Sequence, residues 1–144
     1  MRHTLSILVD NRAGVLYRVT SLISRRGFNI ESLAVGTTED PALSRITVVV
    51  DADIVSVEQI SKQLHKLINV HKVSDLTAEE RTDRELALFK VIATPERRHE
   101  IIEMVDVFRA NIVDVGKNTL TIEATGDEDK LKAMEDLFRG YGIK

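Results

Sequence analysis

An order of strand and helix signals occurs twice along this chain, and that repetition constrains its fold more than any other feature. Thr4 to Val9 alternates, with Leu5, Ile7 and Val9 on one face, and reads as a strand. The turn cluster Asp10-Asn11-Arg12-Ala13-Gly14 follows. Val15, Leu16, Val19, Leu22 and Ile23 then recur at helical spacing, and Gly27 stands where a left-handed C-terminal cap is expected. A second strand is expected over 29–36 and a third over 45–50, joined across Asp40-Pro41 as a hairpin. Ser56 with Gln59 three residues on reads as a capping box, behind which Val57, Ile60, Leu64 and Leu67 make one helical stripe. Val70 to Leu76 closes the half as a strand.

Thr77 to Arg84 is charged, lacks apolar period and reads as a linker. The order then restarts. Leu86 to Ala93 reads as a strand, Thr94-Pro95 as a helix N-cap followed by proline at the first helical position, and Ile101, Met104, Val105 and Phe108 as a helical stripe. Ile112 to Val115 and Thr119 to Ala124 form a hairpin across Gly116-Lys117-Asn118. Asp127 caps a last helix whose Leu131, Met134 and Leu137 face inward, with Phe138 also at core spacing. The expected fold class is α+β: two tandem ferredoxin-like (βαββαβ) sandwiches, residues 1–76 and 85–144, joined by the charged linker 77–84. The sequence ends at Ile143-Lys144 where the repeat calls for its eighth strand, so the second sandwich is expected to lack or truncate it.

Composition narrows the function classes. With 144 residues, 43% of them hydrophobic, the chain can bury roughly 70% of its unfolded surface as one globule, somewhat less as two small domains. No apolar run approaches the roughly 20 residues of a membrane helix and the start lacks a signal-peptide core, so a cytoplasmic protein is expected. The absence of cysteine removes disulfides, zinc thiolates and thiol nucleophiles together. A net charge of -3 offers no positive field for nucleic acid or anionic lipid, which leaves proteins and small molecules as partners.

The informative residues lie in the first half. A strand-to-helix turn ending in Gly14 presents unpaired N–H groups at a helix N-terminus, where the dipole favours a carboxylate or phosphate. Gly14 lets a ligand approach the backbone. Asn11 and Asn29 each offer donor and acceptor, suited to the two ends of an amino-acid zwitterion, while Val15, Leu16 and Ile30 offer apolar walls. The same pattern is also an ordinary structural device, a glycine-bearing turn before a helix with Asn29 as a turn residue after Gly27. The corresponding loop of the second half, Thr94-Pro95-Glu96, has no counterpart of Asn11 or Gly14, so a small-molecule site belongs to the first half.

Asn11-Arg12-Ala13-Gly14-Val15-Leu16 together with Arg25-Arg26-Gly27-Phe28-Asn29-Ile30-Glu31-Ser32-Leu33-Ala34-Val35-Gly36 resembles the first ACT domain of the small regulatory subunits of acetolactate synthase (acetohydroxyacid synthase). Asp40-Pro41-Ala42-Leu43-Ser44-Arg45 and Lys62-Gln63-Leu64-His65-Lys66-Leu67 are similar to the same family, and the resemblance runs the length of the chain. Ala13 departs from it, since many ACT domains have proline there. The resemblance implies a non-catalytic subunit that activates a large catalytic subunit and makes it sensitive to valine. It implies no cofactor in this chain, the thiamine diphosphate, flavin and magnesium belonging to the large subunit. It also implies a homodimer through ACT domains, with valine at the junction: Asn11, Ala13, Gly14, Val15 and Leu16 of one chain opposite Asn29 and Ile30 of the other.

Competing readings have less behind them. His3, His65, His71 and His99 show no ligand spacing, and no metal site is expected. Arg25-Arg26, Arg97-Arg98 and His65-Lys66 read as solvated positions, the arginine doublets with a possible contact to the catalytic subunit, and Asp127-Glu128-Asp129 reads as an acidic first turn. Gly14-Val15-Leu16-Tyr17-Arg18 has a passing likeness to the anion loop of acylphosphatases, without a second element of that site. No catalytic serine elbow, P-loop or zinc-protease motif is present. The alternative function is a free-standing ACT-type amino-acid sensor for another partner protein.

Overall fold

The computed structural model describes all residues, Met1–Lys144, and divides them into two compact units, Met1–Arg81 and Thr82–Lys144. In the first, β1 (Arg2–Asp10) carries Leu5, Ile7 and Val9 inward, as its alternation demands. The helix α1 (Val15–Arg25) buries Val15, Val19, Leu22 and Ile23. It ends in a Schellman motif: Gly27, at φ +82, donates its N–H to Ser24 O, and Phe28 donates to Ile23 O. β2 (Ile30–Thr37) and β3 (Leu43–Asp51) form the hairpin, α2 (Ile54–His65) buries Val57, Ile60 and Leu64, and β4 (Val70–Asp75) closes the unit. The sheet order is β2-β3-β1-β4, all neighbours antiparallel, with both helices' apolar faces and one sheet face sharing a core.

The second unit repeats the plan with β5 (Glu85–Ile92), α3 (Arg98–Val107), β6 (Asn111–Val115), β7 (Thr119–Gly126) and α4 (Glu128–Arg139) in a sheet of order β5-β7-β6. Phe89, Ile101, Ile122, Met134 and Phe138 lead its separate core, in which the rings of Phe89 and Phe138 lie 5.7 Å apart. The architecture is therefore two tandem ferredoxin-like units. The last residues do not stop short of β5. Ile143 forms an antiparallel bridge to Val91, Ile92 donates to Gly142 O and Lys144 to Lys90 O, so an incipient fourth strand lies along part of that edge. No helix is long and apolar enough to cross a membrane.

Three local expectations are revised. Asp53, not Ser56, caps α2: its carboxylate accepts the Ser56 N–H at 2.8 Å and the Ser56 hydroxyl at 2.9 Å, because an extended aspartate ahead of the first turn reaches these orphan donors. Thr94-Pro95 does not start α3. Thr94 O accepts the Arg97 N–H at 3.0 Å, so Pro95 occupies the second position of a turn, where its fixed φ is at home, and the helix begins at Arg98. In α4 the inward stripe is Leu131, Met134 and Phe138, leaving Leu137 47% exposed. The segment read as a linker, 77–84, holds no helix or strand; at its start the Thr77 hydroxyl donates to Asp75 and Arg81 donates to the carbonyls of Leu76 and Thr77.

Candidate effector site

The loop from Asp10 to Gly14 is held from two sides. Asp10 donates its N–H to Asn69 O at 2.9 Å on the turn before β4, and Asn11 donates its N–H to Ala42 O at 2.8 Å on the turn before β3. Side chains repeat both ties. The Asn11 amide donates to Pro41 O at 3.0 Å, while the Asp10 carboxylate accepts from Asn69 Nδ2 at 2.9 Å and His71 Nε2 at 2.6 Å. Asn69 Oδ1 in turn accepts from Arg18 at 3.2 Å, one turn into α1. Hydrogen bonds from His71 and then Asn69, with the nearby His71 and Arg12 charges, hold the Asp10 carboxyl below its ordinary value. The carboxylate is thus kept ionised as the anchor between loop and β4.

The helix end that this loop presents is open. Gly14 is the N-cap of α1 at φ 83 and ψ -10, no side chain caps the helix, and no acidic residue stands in its first turn. Arg18 makes the first helical bond, to Gly14 O at 3.1 Å, and the Leu16 and Tyr17 N–H groups ahead of it have no backbone acceptor. A Cβ at Gly14 would meet nothing within 4 Å. The glycine is therefore required by its backbone conformation and not by crowding, and the Leu16 and Tyr17 N–H groups are left without a protein acceptor. By contrast α2 and α4 are closed by the Asp53 and Asp127 carboxylates.

The named side chains divide by location. Asn11, Ala13 and Gly14 are exposed on the loop. Leu16 is 39% exposed, whereas Val15, at 4%, packs into the core and gives its N–H to Arg12 O, so Val15 is not one of the apolar walls expected there. Asn29 is exposed and donates from Nδ2 to Glu31 Oε1 at 3.0 Å, and Ile30 is half-buried against the core. One chain does not bring the two groups together. Ile30 pairs with Val50 and Val50 with His3, at the opposite end of the sheet from Asn11. Eight residues at about 3.3 Å each separate them by roughly 25 Å.

The edge strand β2 carries a second signal. Leu33 and Val35 stand opposite Val48 and Ile46, on the core face of the sheet, yet both are exposed because the helices do not reach over them. An unpaired edge of eight residues with uncovered apolar side chains is suited to pairing with another strand. Sequence reasoning missed Pro41, Asn69, His71 and the Arg18 link. Asp40-Pro41 signalled a turn, but nothing local signalled that it and Asn69 would both meet the Asn11 loop. The histidines are dispersed, and no group of three or more His, Asp or Glu residues is placed to hold a metal ion.

Residues 5–72 match the family model described as AHAS small subunit-like ACT domain, and residues 84–144 match the model for the small subunit of acetolactate synthase. The chain is 57% identical over 144 residues to a protein of Archaeoglobus fulgidus named "Probable acetolactate synthase small subunit", spanning all of this chain and 90% of that one. It is 52% identical over 142 residues to the acetolactate synthase small subunit of Mycobacterium leprae, covering 99% of this chain and 84% of that protein. The crystal structure of the acetolactate synthase small subunit from Thermotoga maritima superposes with a TM-score of 0.91 at 40% identity, over all of this chain and 90% of the other.

Proposed function

The chain belongs to the family of acetolactate synthase small subunits, a regulatory and not a catalytic subunit, and from that premise we propose that it activates the large subunit and makes it sensitive to valine. The observation that carries the effector reading is the uncapped N-terminus of α1, open behind Gly14 and without an acidic neighbour in its first turn. It suits the carboxylate of an amino acid. The Asn11 and Asn29 amide oxygens, whose Nδ2 groups donate to Pro41 and Glu31, are acceptors for its ammonium, and Leu16 and Ile30 are the walls for a branched side chain.

Completing this site requires two copies of the chain. In the sheet register, Thr37 at the end of β2 pairs with Ser44, and Ser44 pairs with Val9, next to Asp10. A two-fold axis that sets β2 antiparallel to β2 of a second copy brings that copy's Asn29 and Ile30 toward the Asn11–Gly14 loop of the first and covers Leu33 and Val35. Such an isologous dimer holds two equivalent sites. Valine bound there bridges two chains, so it favours one quaternary arrangement and shifts the population experienced by the catalytic subunit. The thiamine diphosphate, flavin and magnesium chemistry stays with that subunit.

Calorimetric titration with valine, using alanine and glutamate as controls, tests this reading. Saturable binding of valine near one per chain is expected, weakened at least tenfold in Asn29→Ala. Asn29→His is expected to abolish valine feedback on the reconstituted enzyme while leaving its activation intact. Absence of valine binding by the chain alone and of any valine effect on the reconstituted enzyme would overturn the effector assignment.

A further inference from the structure

Between the end of α1 and the outer face of α2 lies an open groove of about 660 Å³ lined by Arg26, Gln59, Lys62, Gln63, His65 and Lys66. No carboxylate lines it. Its full cations, Arg26, Lys62 and Lys66, make no ion pair within the chain, although the first unit as a whole carries equal numbers of acidic and basic side chains. The dipole at the end of α2 favours cations in its last turn, which accounts for Lys62. It does not account for Arg26, which arrives from the end of a different helix.

We propose that this groove is the surface that receives an acidic segment of the catalytic subunit, an inference that rests on reading the chain as a subunit acting on that partner. Gln59, Lys62, Gln63 and Lys66 form one stripe along α2, about 10 Å long at 1.5 Å per residue, with the two lysines one turn apart. Carboxylates one turn apart on a partner helix meet that spacing, and the glutamines supply neutral hydrogen bonds beside them. Ile68, two residues past Lys66 in the turn after α2, is 91% exposed and outside the lining of the groove. The same features disfavour a nucleotide, since the lining has no Phe, Tyr or Trp ring for a base and no glycine loop for phosphates. The groove is also separate from β2: α2 packs on β4, at the opposite edge of the sheet, so docking there leaves the β2 edge free.

The test uses the full chain with Lys62→Glu and Lys66→Glu combined, and Arg26→Glu separately, in surface-plasmon titrations against the catalytic subunit at low and moderate salt. All three residues are exposed, and an unchanged thermal melt checks the fold. The double reversal is expected to weaken association at least tenfold and flatten its salt dependence, with Arg26→Glu intermediate and valine binding by the isolated chain unchanged. Unaltered association of the folded double variant, or no measurable association of the wild-type chain, overturns the proposal. Saturable binding of inorganic phosphate that disappears in the variant while association persists overturns it in favour of a phosphate ligand. Loss of association in the variant, in a chain that binds no valine at all, separates the two readings: the groove stands and the effector site falls.

Discussion

The two units leave their first helix in the same way and enter it differently. Both exits are Schellman motifs: Phe28 donates to Ile23 O and Ala110 to Val105 O, five residues back in each case. An Asn-Ile pair then leads into the next strand, Asn29 standing just before β2 and Asn111 opening β6. The entries diverge. Before α1 the loop ends in Gly14 with open N–H groups, whereas before α3 the Arg98 guanidinium donates to the carbonyls of Ala93, Gly116 and Lys117 at 3.4, 3.0 and 2.7 Å. Neither helix start is capped by a side chain, but α3 has Glu100 in its first turn and its loop carbonyls tied by Arg98, whereas α1 has no acid in its first turn. Duplicated architecture with different loops shows that one sandwich plan supports connections of different chemistry, and the proposed effector site rests on the residues of one such connection.

Removing the clamp is the strongest way to break this contrast. Arg98→Ala strips the donor from three loop carbonyls and is expected to destabilise the second unit by about 2 kcal/mol in chemical denaturation, with valine affinity unchanged. A parallel fall in valine affinity would mean that the two loops are not independent. Next comes Gly14→Ala. The open space around Gly14 confines the cost to its left-handed backbone, about 1–2 kcal/mol by thermal melt, together with weaker valine binding. An unchanged melt would show that the loop relaxes out of the left-handed region. The smallest effect sharpens the similarity of the exits. Arg109 stands at φ 55 where the first unit has Gly27, so Arg109→Gly is expected to stabilise the second unit by about 0.5–1 kcal/mol. A loss of stability there would reveal a contact of the Arg109 side chain that outweighs the strain.

Much of this was legible along the chain because it depends on near neighbours. The alternation of Leu5, Ile7 and Val9 and the stripe Val15, Val19, Leu22 and Ile23 each lie within one element, and period alone assigns them. Gly27 and Asp127 were legible as caps for the same reason. The errors came where two local signals competed. Asp53 and Ser56 are both good N-caps, and the backbone placed Asp53 in the extended conformation a cap needs. Thr94-Pro95 fits a helix start and a turn equally well, and the Arg97 N–H to Thr94 O bond selected the turn. In the candidate site, Asn11, Gly14 and Asn29 stand out by residue type. Asn69 and His71 do not, since their part arises only from pairing β4 with β1 at Asp10.

Local pattern was therefore enough to establish two sandwich repeats, the glycine-ended loop before α1 and the family resemblance, all of which rest on residues close in sequence. Distance and exposure were decided in three dimensions. That Asn11 and Asn29 lie at opposite ends of one sheet follows from strand register, and that Val15 is buried while Leu16 is open follows from how α1 rolls onto the core. The meeting of Arg26 with Lys62 and Lys66 depends on two helices packing side by side, 36 and 40 residues apart along the chain. Sequence patterns report the faces and ends of single elements; sites and grooves form where different elements meet, and long-range packing alone sets those meetings.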